Sequence, residues 1–162
     1  MHSVVVVPVP AANALTAPWR APHGMLAHVT LAAPFLTPST IDDLVAATLA
    51  ASLDGTSSFD VRFSTVAWFG RRVVYLAPDD PTPFVDLART IGRAFPGPSA
   101  GSASPFVAHL TIAKNRTLTE LRDAAASSAE LLPLATRASE VALTLFDPVT
   151  SDWRERARVA LA

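Results

Sequence analysis

Two histidine–threonine pairs are the residues of this chain best suited to chemistry. Residues 27–32 read Ala-His-Val-Thr-Leu-Ala and residues 108–113 read Ala-His-Leu-Thr-Ile-Ala, so each half of the 162-residue chain carries one copy. Successive side chains of a strand point to opposite faces, and each histidine therefore shares a face with the threonine two positions on. A single such pair is usually structural. Two near-identical copies, in a chain with 4 histidines, indicate a duplicated unit and one shared site.

Two imidazoles that face each other across a groove suit a reaction in which one proton is removed and another is donated. In-line attack at phosphorus is such a reaction: one neutral histidine activates water, and the other, protonated, neutralises the leaving oxygen. The threonine hydroxyls lie roughly 6–7 Å along the strand from each imidazole and can hold the non-bridging oxygens. The pattern predicts phosphoryl chemistry by His28 and His109, with Thr30 and Thr111 as phosphate anchors.

A metal site is the competing interpretation of the two histidines. A stable zinc site needs a third protein ligand, and the chain has no cysteine and no His-x-x-x-His spacing. His23 or an aspartate could supply that ligand, but the repeated threonines would then have no role. We therefore predict neither a bound metal nor a cofactor.

Composition and charge exclude several other classes. Half of the residues are hydrophobic and 17% are charged, which favours one packed domain or two small lobes over disorder. A net charge of −1 and a pI of about 6.4 argue against a long nucleic acid as partner. No apolar run approaches the roughly 18 residues of a membrane span, and the first ten residues read as a strand and not as a signal peptide. We expect a soluble, cytoplasmic monomer.

Periodicity predicts the elements that carry the two motifs. Three helices are predicted. The first follows the first motif, is capped by Ser39 or Thr40 and has Leu44 and Leu49 in its buried stripe. The second begins at Thr82, and the third begins at a capping box, Thr117–Glu120. Residues 11–24 read as irregular, and residues 96–105 read as a flexible loop that is either a lid or a plain linker. The expected strands span 4–9, 26–33, 59–69, 73–77, 106–113, 136–146 and 153–161.

Hairpin-linked strands mixed with a few helices favour an α+β architecture of two antiparallel sheets with helices packed outside. The two histidine–threonine faces would line a central groove between those sheets. Arg20, in the irregular stretch, is either solvated or a phosphate contact. In the last strand Trp153 and Ala157 should share one face, while Arg154, Arg156 and Arg158 share the other, from which one or two could reach phosphate.

The paired His-hydrophobic-Thr-hydrophobic motifs resemble the signature of the two-histidine phosphoesterase superfamily. Ala-His-Val-Thr-Leu followed by Pro34-Phe35, and the ending Asp152-Trp153-Arg154, are similar to the 2'-5' RNA ligase-like branch, which includes cyclic nucleotide phosphodiesterases. The likeness runs from Val4 to Leu161. It implies a single bilobal pseudo-twofold domain over residues 1–162 and metal-independent catalysis.

By motif position, the resemblance implies that His28 and His109 are the acid–base pair, with His109 as base and His28 as acid, and that Thr30 and Thr111 anchor phosphate. Lys114 fills the place of a basic residue that often follows the second motif in relatives. The expected function is a phosphodiesterase that opens a small cyclic phosphate, such as a nucleoside 2',3'-cyclic phosphate or a short RNA end. Two alternatives stay open: a binding module for a phosphorylated ligand, and 2'-5' RNA joining or cleavage at the same site.

Overall fold

The computed structural model describes residues 2–97 and 106–162, which contain eight strands and four α-helices. The α-helices are α1 Asn13–Thr16, α2 Asp43–Ser52, α3 Thr82–Ala94 and α4 Leu118–Ala129, and two 3-10 turns span Pro10–Ala12 and Pro38–Thr40. The strands are β1 Ser3–Pro8, β2 His28–Ala32, β3 Phe59–Phe69, β4 Val73–Pro78, β5 Leu110–Lys114, β6 Leu134–Ala138, β7 Glu140–Asp147 and β8 Asp152–Ala160.

The strands form a single antiparallel sheet in the order β6-β3-β4-β5-β2-β1-β7-β8. The two motif strands, β2 and β5, are neighbours at its centre, with three further strands on each side. They share one register pair, Val29 with Leu110. The predicted α+β class is confirmed, but the predicted pair of separate sheets is not found. One short pairing between the motif strands joins the two groups of strands into one sheet.

The two faces of this sheet have different coverings. The face with Val29 and Leu110 packs against buried side chains of α2, α3 and α4, among them Leu49, Phe84 and Leu121. A fully buried side chain of this size contributes about 1.5–3 kcal/mol to stability. Because neighbouring strand residues point to opposite sides, the motif histidines and threonines lie on the face away from this helical core.

The helix that follows the first motif begins later than predicted. Its N-cap is Asp42, whose carboxylate accepts a hydrogen bond from the Val45 N–H at 2.9 Å. Ser39 and Thr40 belong to the preceding 3-10 turn, so the prediction that either caps the helix is wrong. Leu49 is fully buried as predicted, whereas Leu44 is 72% exposed, so its assignment to the buried stripe is wrong.

Three other predicted segments differ from the structure. The stretch predicted as irregular contains a 3-10 turn and α1, and the Asn13 side-chain oxygen accepts from the Ala27 N–H at 2.9 Å, tying it to the first motif. The strand predicted over 136–146 is two strands, because β6 pairs with β3 and β7 pairs with β1 and β8. The loop predicted over 96–105 lies outside the described residues from position 98 onward.

The strand predicted over 106–113 begins only at Leu110, so His109 lies just before β5. Other predicted elements are confirmed. The hairpin of β3 and β4 is present, and α3 opens at Thr82. The capping box is complete: the Glu120 carboxylate accepts from the Thr117 N–H at 2.8 Å, and the Thr117 hydroxyl accepts from the Glu120 N–H at 3.2 Å. Within the described parts of the chain, no helix is long and apolar enough to cross a membrane.

Candidate active site

Strands β2 and β5 bring the two motifs side by side. They run antiparallel with Val29 opposite Leu110. This is the single residue pair between the two strands. His28 and Thr30 flank Val29, and His109 and Thr111 flank Leu110, so the two motifs meet at this pair. Each imidazole therefore has a threonine two positions along its own motif and the other motif beside it.

The two histidines make the same hydrogen bond. His28 Nδ1 lies 2.6 Å from the carbonyl oxygen of Leu26, and His109 Nδ1 lies 2.7 Å from the carbonyl oxygen of Val107. A carbonyl oxygen can only accept, so in each ring Nδ1–H is the donor and the proton of the neutral form is on Nδ1. This assignment leaves Nε2 of both rings as the nitrogen available to a ligand.

All four motif side chains line one cavity of about 690 Å³. Residues 19–27, which connect α1 to β2, form one wall, and Lys114 and Arg116 after the second motif contribute two cations. A volume of this size lies within the range of small-molecule and cofactor sites. The cavity therefore holds two imidazoles, two hydroxyls and several positive charges in a space that suits a nucleotide-sized anion.

The imidazole of His28 is held toward its neutral form. Burial lowers the pKa of His28 below its usual 6.5, and the positive charges of Lys114 and His109 lower it further. The hydrogen bond to the Leu26 carbonyl opposes these effects but does not cancel them. His28 is thus a neutral, proton-accepting group over a wider pH range than a free histidine.

The imidazole of His109 packs against a stacked pair of aromatic rings. The centroid of Phe69 lies 4.9 Å from it and that of Tyr75 lies 5.5 Å from it, both in edge-to-face geometry. Phe69 and Tyr75 stack on each other at 4.2 Å. Together with the hydrogen bond to the Val107 carbonyl, these contacts restrict the orientation of the His109 ring.

The sequence did not predict this aromatic support. Tyr75 pairs directly with Thr111 across β4 and β5, which puts its ring on the face of the histidines. The alternating pattern of residues 59–69 and 73–77 predicts the hairpin of β3 and β4. The register between β4 and β5 brings Tyr75 to the site, but these two strands are linked through α3, so the sequence carries no local signal for that register.

Two of the four basic residues predicted as substrate contacts, Arg20 and Lys114, line the cavity. Arg154 and Arg156 are not among its lining residues. Arg156 Nη2 instead donates to the Asp43 carboxylate at 2.5 Å, at the start of α2. A substrate contact by Arg154 or Arg156 therefore stays a prediction.

An irregularity in β8 explains their position. The pairing of β8 with β7 shifts register: Leu143 pairs with Ala157, but the next residue, Thr144, pairs with Glu155, so β8 has one extra residue at this point. The extra residue turns the side chains beyond it to the other face. Trp153 consequently packs with a small apolar cluster on the cavity face, whereas Ala157 packs on the helical core. The prediction that Trp153 and Ala157 share one face is wrong.

No candidate metal centre accompanies the two motif histidines. Across residues 2–97 and 106–162, no three histidine, cysteine, aspartate or glutamate side chains form a group that could hold a metal ion. His23, the candidate third ligand, lines the cavity but has its Nδ1 2.8 Å from the Asp152 carboxylate. Thr30, Thr111 and Lys114 line the same cavity as the two motif histidines, and these side chains suit an anion.

Two histidines and two threonines on adjacent central strands of an antiparallel α+β fold define a two-histidine phosphoesterase. The family model of the 2'-5' RNA ligase superfamily matches residues 10–148, so this chain belongs to that superfamily. The family resemblance found in the motifs is confirmed. No curated protein shows significant sequence similarity to the chain.

Solved structures share the fold over its whole length. TT0787 of Thermus thermophilus superposes with a TM-score of 0.67 at 17% identity, over 99% of this chain and 98% of that chain. LigT of E. coli, solved with NADP+, superposes with a TM-score of 0.64 at 19% identity, over 99% of this chain and 97% of that chain. A protein described as a phosphoesterase superposes with a TM-score of 0.62 at 20% identity, over 99% of this chain and 98% of that chain. At these identities the likeness establishes the fold.

Proposed function

We propose that this protein is a metal-independent phosphodiesterase that hydrolyses a small cyclic phosphate, of the nucleoside 2',3'-cyclic phosphate or RNA-end type. The observation that carries the proposal is the matched pair of imidazoles, each with Nδ1 bonded to a carbonyl two residues back and Nε2 free. Threonine hydroxyls flank both rings in the same cavity. This set supplies a base, an acid and two anchors for phosphate oxygens without any other group.

The reaction needs one neutral and one protonated imidazole. We assign the base to His28, because burial and neighbouring positive charge lower its pKa and keep Nε2 able to take a proton from water. His109 is then the acid that protonates the departing ribose oxygen. Thr30 and Thr111 donate to the non-bridging oxygens, and the charge of Lys114 offsets that of the phosphate. Motif position alone suggested the opposite order of the two histidines.

A substrate with an acidic leaving group separates the two roles. A 4-nitrophenyl phosphodiester of a nucleoside releases nitrophenolate, which needs no protonation. The acid variant should therefore recover much of its lost rate on this ester, while the base variant should not. We expect recovery for His109→Ala and none for His28→Ala. Recovery in His28→Ala alone would restore the order suggested by motif position.

The class of substrate is supported from two sides. Structures of E. coli LigT, which has the same fold, contain 3'-AMP, ATP, NADP+ or phosphate, so the fold accommodates nucleotides. The net charge of −1 on this chain disfavours a long RNA. We accordingly propose a small nucleotide or a short RNA end as substrate, bound by a cytoplasmic monomer without cofactor.

The experiment is hydrolysis of nucleoside 2',3'-cyclic phosphates by the wild type and by His28→Ala and His109→Ala. Each variant should lose on the order of 10²-fold or more in kcat. His2→Ala is the matched control, since its ring is exposed and outside the cavity lining. Turnover retained in either motif variant would refute the proposal.

Two further readouts separate the alternatives. Activity that persists in EDTA excludes a metal-dependent reaction. Tight binding of a nucleoside 2'-phosphate with no turnover of any cyclic or 2'-5' linked substrate would instead identify a binding module. Turnover confined to 2'-5' linked dinucleotides would identify the linkage-specific reaction at the same residues.

A further inference from the structure

Arg20 lies in the wall of the cavity with part of its guanidinium unpartnered. It follows α1, where its N–H donates to the Thr16 carbonyl at 3.0 Å, and its side chain lines the cavity. Among the described residues, Nη1 of Arg20 is buried and has no hydrogen-bond partner. A buried cationic donor without a partner is unfavourable, so this nitrogen is suited to an anion that enters the cavity.

The local backbone leaves room for the Arg20 stem. A Cβ atom at Gly24 would lie 2.8 Å from Arg20 Cγ and 3.0 Å from the Ala21 carbonyl oxygen. Gly24 N–H donates to that same carbonyl at 2.8 Å, closing a tight turn. The aliphatic part of Arg20 thus packs over a glycine, and any larger residue there would displace it.

Arg20 is also distinct from the other cations near the site. Lys114 is the last residue of β5 and follows Thr111 by three positions, whereas Arg20 lies in the stretch between α1 and β2, eight residues before His28. Arg116 has partners, with Nη1 3.4 Å from the Glu120 carboxylate and Nη2 3.4 Å from the Trp19 carbonyl. The cavity therefore has one cation directly after the second motif and a second one in the wall formed by residues 19–27.

We propose that Arg20 binds a second phosphate of the substrate, separate from the phosphate that reacts. The inference rests on the proposed function and narrows its substrate class to cyclic phosphates that carry another phosphate group. A guanidinium pairs with phosphate oxygens through two parallel hydrogen bonds, a geometry that a lysine does not offer. Two sources supply this chemistry: a 5'-terminal phosphate, or the internucleotide phosphate of an RNA end.

The test compares three substrates that differ in this one feature. They are a nucleoside 2',3'-cyclic phosphate with a free 5'-hydroxyl, the same compound with a 5'-phosphate, and a dinucleotide that ends in the cyclic phosphate. The wild type should prefer at least one of the phosphorylated compounds by about tenfold in kcat/KM, the range expected for one charged hydrogen bond. Preference for the monoester identifies the terminal phosphate, and preference for the dinucleotide identifies the RNA end.

Arg20→Met keeps the length of the stem and removes the charge. It should lower the ratio of kcat/KM for the preferred compound over the 5'-hydroxyl compound by about tenfold. Gly24→Ala should lower the same ratio while the guanidinium remains. The matched control is Arg122→Met, an exposed arginine on α4, which should leave the ratio unchanged. Thermal unfolding checks the fold, and Arg20→Met should not lower the melting temperature.

The outcomes separate this inference from the proposed function. Hydrolysis without any preference for a second phosphate, or an Arg20→Met variant that loses all three substrates equally, overturns the inference and leaves the function standing. If no substrate turns over, calorimetry with a nucleoside 2'-phosphate and the matching 2',5'-bisphosphate decides. Tighter binding of the bisphosphate that Arg20→Met abolishes supports the second phosphate site even then, and equal binding overturns it.

Discussion

The threonine hydroxyls provide the most quantitative test of how the cavity holds phosphate. Thr30 and Thr111 flank the two imidazoles on the open face of the sheet, and both line the cavity. Replacing each by valine keeps the branched shape and removes the single oxygen that can donate to a phosphate oxygen. Thr30→Val and Thr111→Val therefore test one hydrogen bond each without opening space in the sheet.

The expected magnitude follows from the charge of the acceptor. A hydrogen bond to a charged group contributes about 1.5–3 kcal/mol, which corresponds to roughly a tenfold to hundredfold loss in kcat/KM. Because the two threonines belong to different strands and each contributes its own hydroxyl to the cavity, their effects should combine in the double variant. Steady-state hydrolysis of a nucleoside 2',3'-cyclic phosphate, followed by chromatography of the product, measures all three.

Thr65→Val is the matched control, an exposed threonine on β3 outside the cavity lining. It should change kcat/KM by less than about twofold, since it removes a hydroxyl from a strand without touching the site. A loss of less than about twofold in both Thr30→Val and Thr111→Val would refute the view that these hydroxyls hold the reacting phosphate. So would an equal loss in the control.

Three further predictions concern stability and the cavity wall. The lowered pKa of His28 means that the unfolded chain binds more protons than the folded one, so the free energy of unfolding should fall as the pH drops below 6.5. Denaturation of His28→Gln at the same pH values should show a smaller fall in this free energy. Equal falls in the variant and the wild type would contradict the burial of His28. Thr117→Ala should lose about 1 kcal/mol of unfolding free energy through its cap, and an unchanged value would show that the cap is dispensable. Asp152→Asn should change the free energy of unfolding by less than about 1 kcal/mol, because the ion pair of Asp152 with His23 is exposed. The same variant should speed hydrogen exchange in residues 19–27. Unaltered exchange would show that the ion pair does not hold this wall of the cavity.

The sequence predicts the site better than the fold around it. Strand alternation is a local rule, so His28 and Thr30 could be assigned to one face from their spacing alone, as could His109 and Thr111. The capping box at Thr117 and the β3–β4 hairpin are equally local, and both are present.

Features that depend on distant parts of the chain were not predictable in this way. The single pairing of Val29 with Leu110 unites the strands into one sheet, and nothing near either residue specifies it. The register shift in β8 reverses the faces of the last strand, and alternation assumes that no such shift occurs. Tyr75 reaches His109 through a register between strands that no hairpin connects.

A crystal structure with a bound nucleoside 2'-phosphate tests the central claim most directly. The account predicts one phosphate within hydrogen-bond distance of Nε2 of both His28 and His109, with the hydroxyls of Thr30 and Thr111 on its remaining oxygens. Both Nδ1 atoms should still bond the carbonyls of Leu26 and Val107. A phosphate bound by only one histidine, or bound elsewhere in the cavity, would contradict the account.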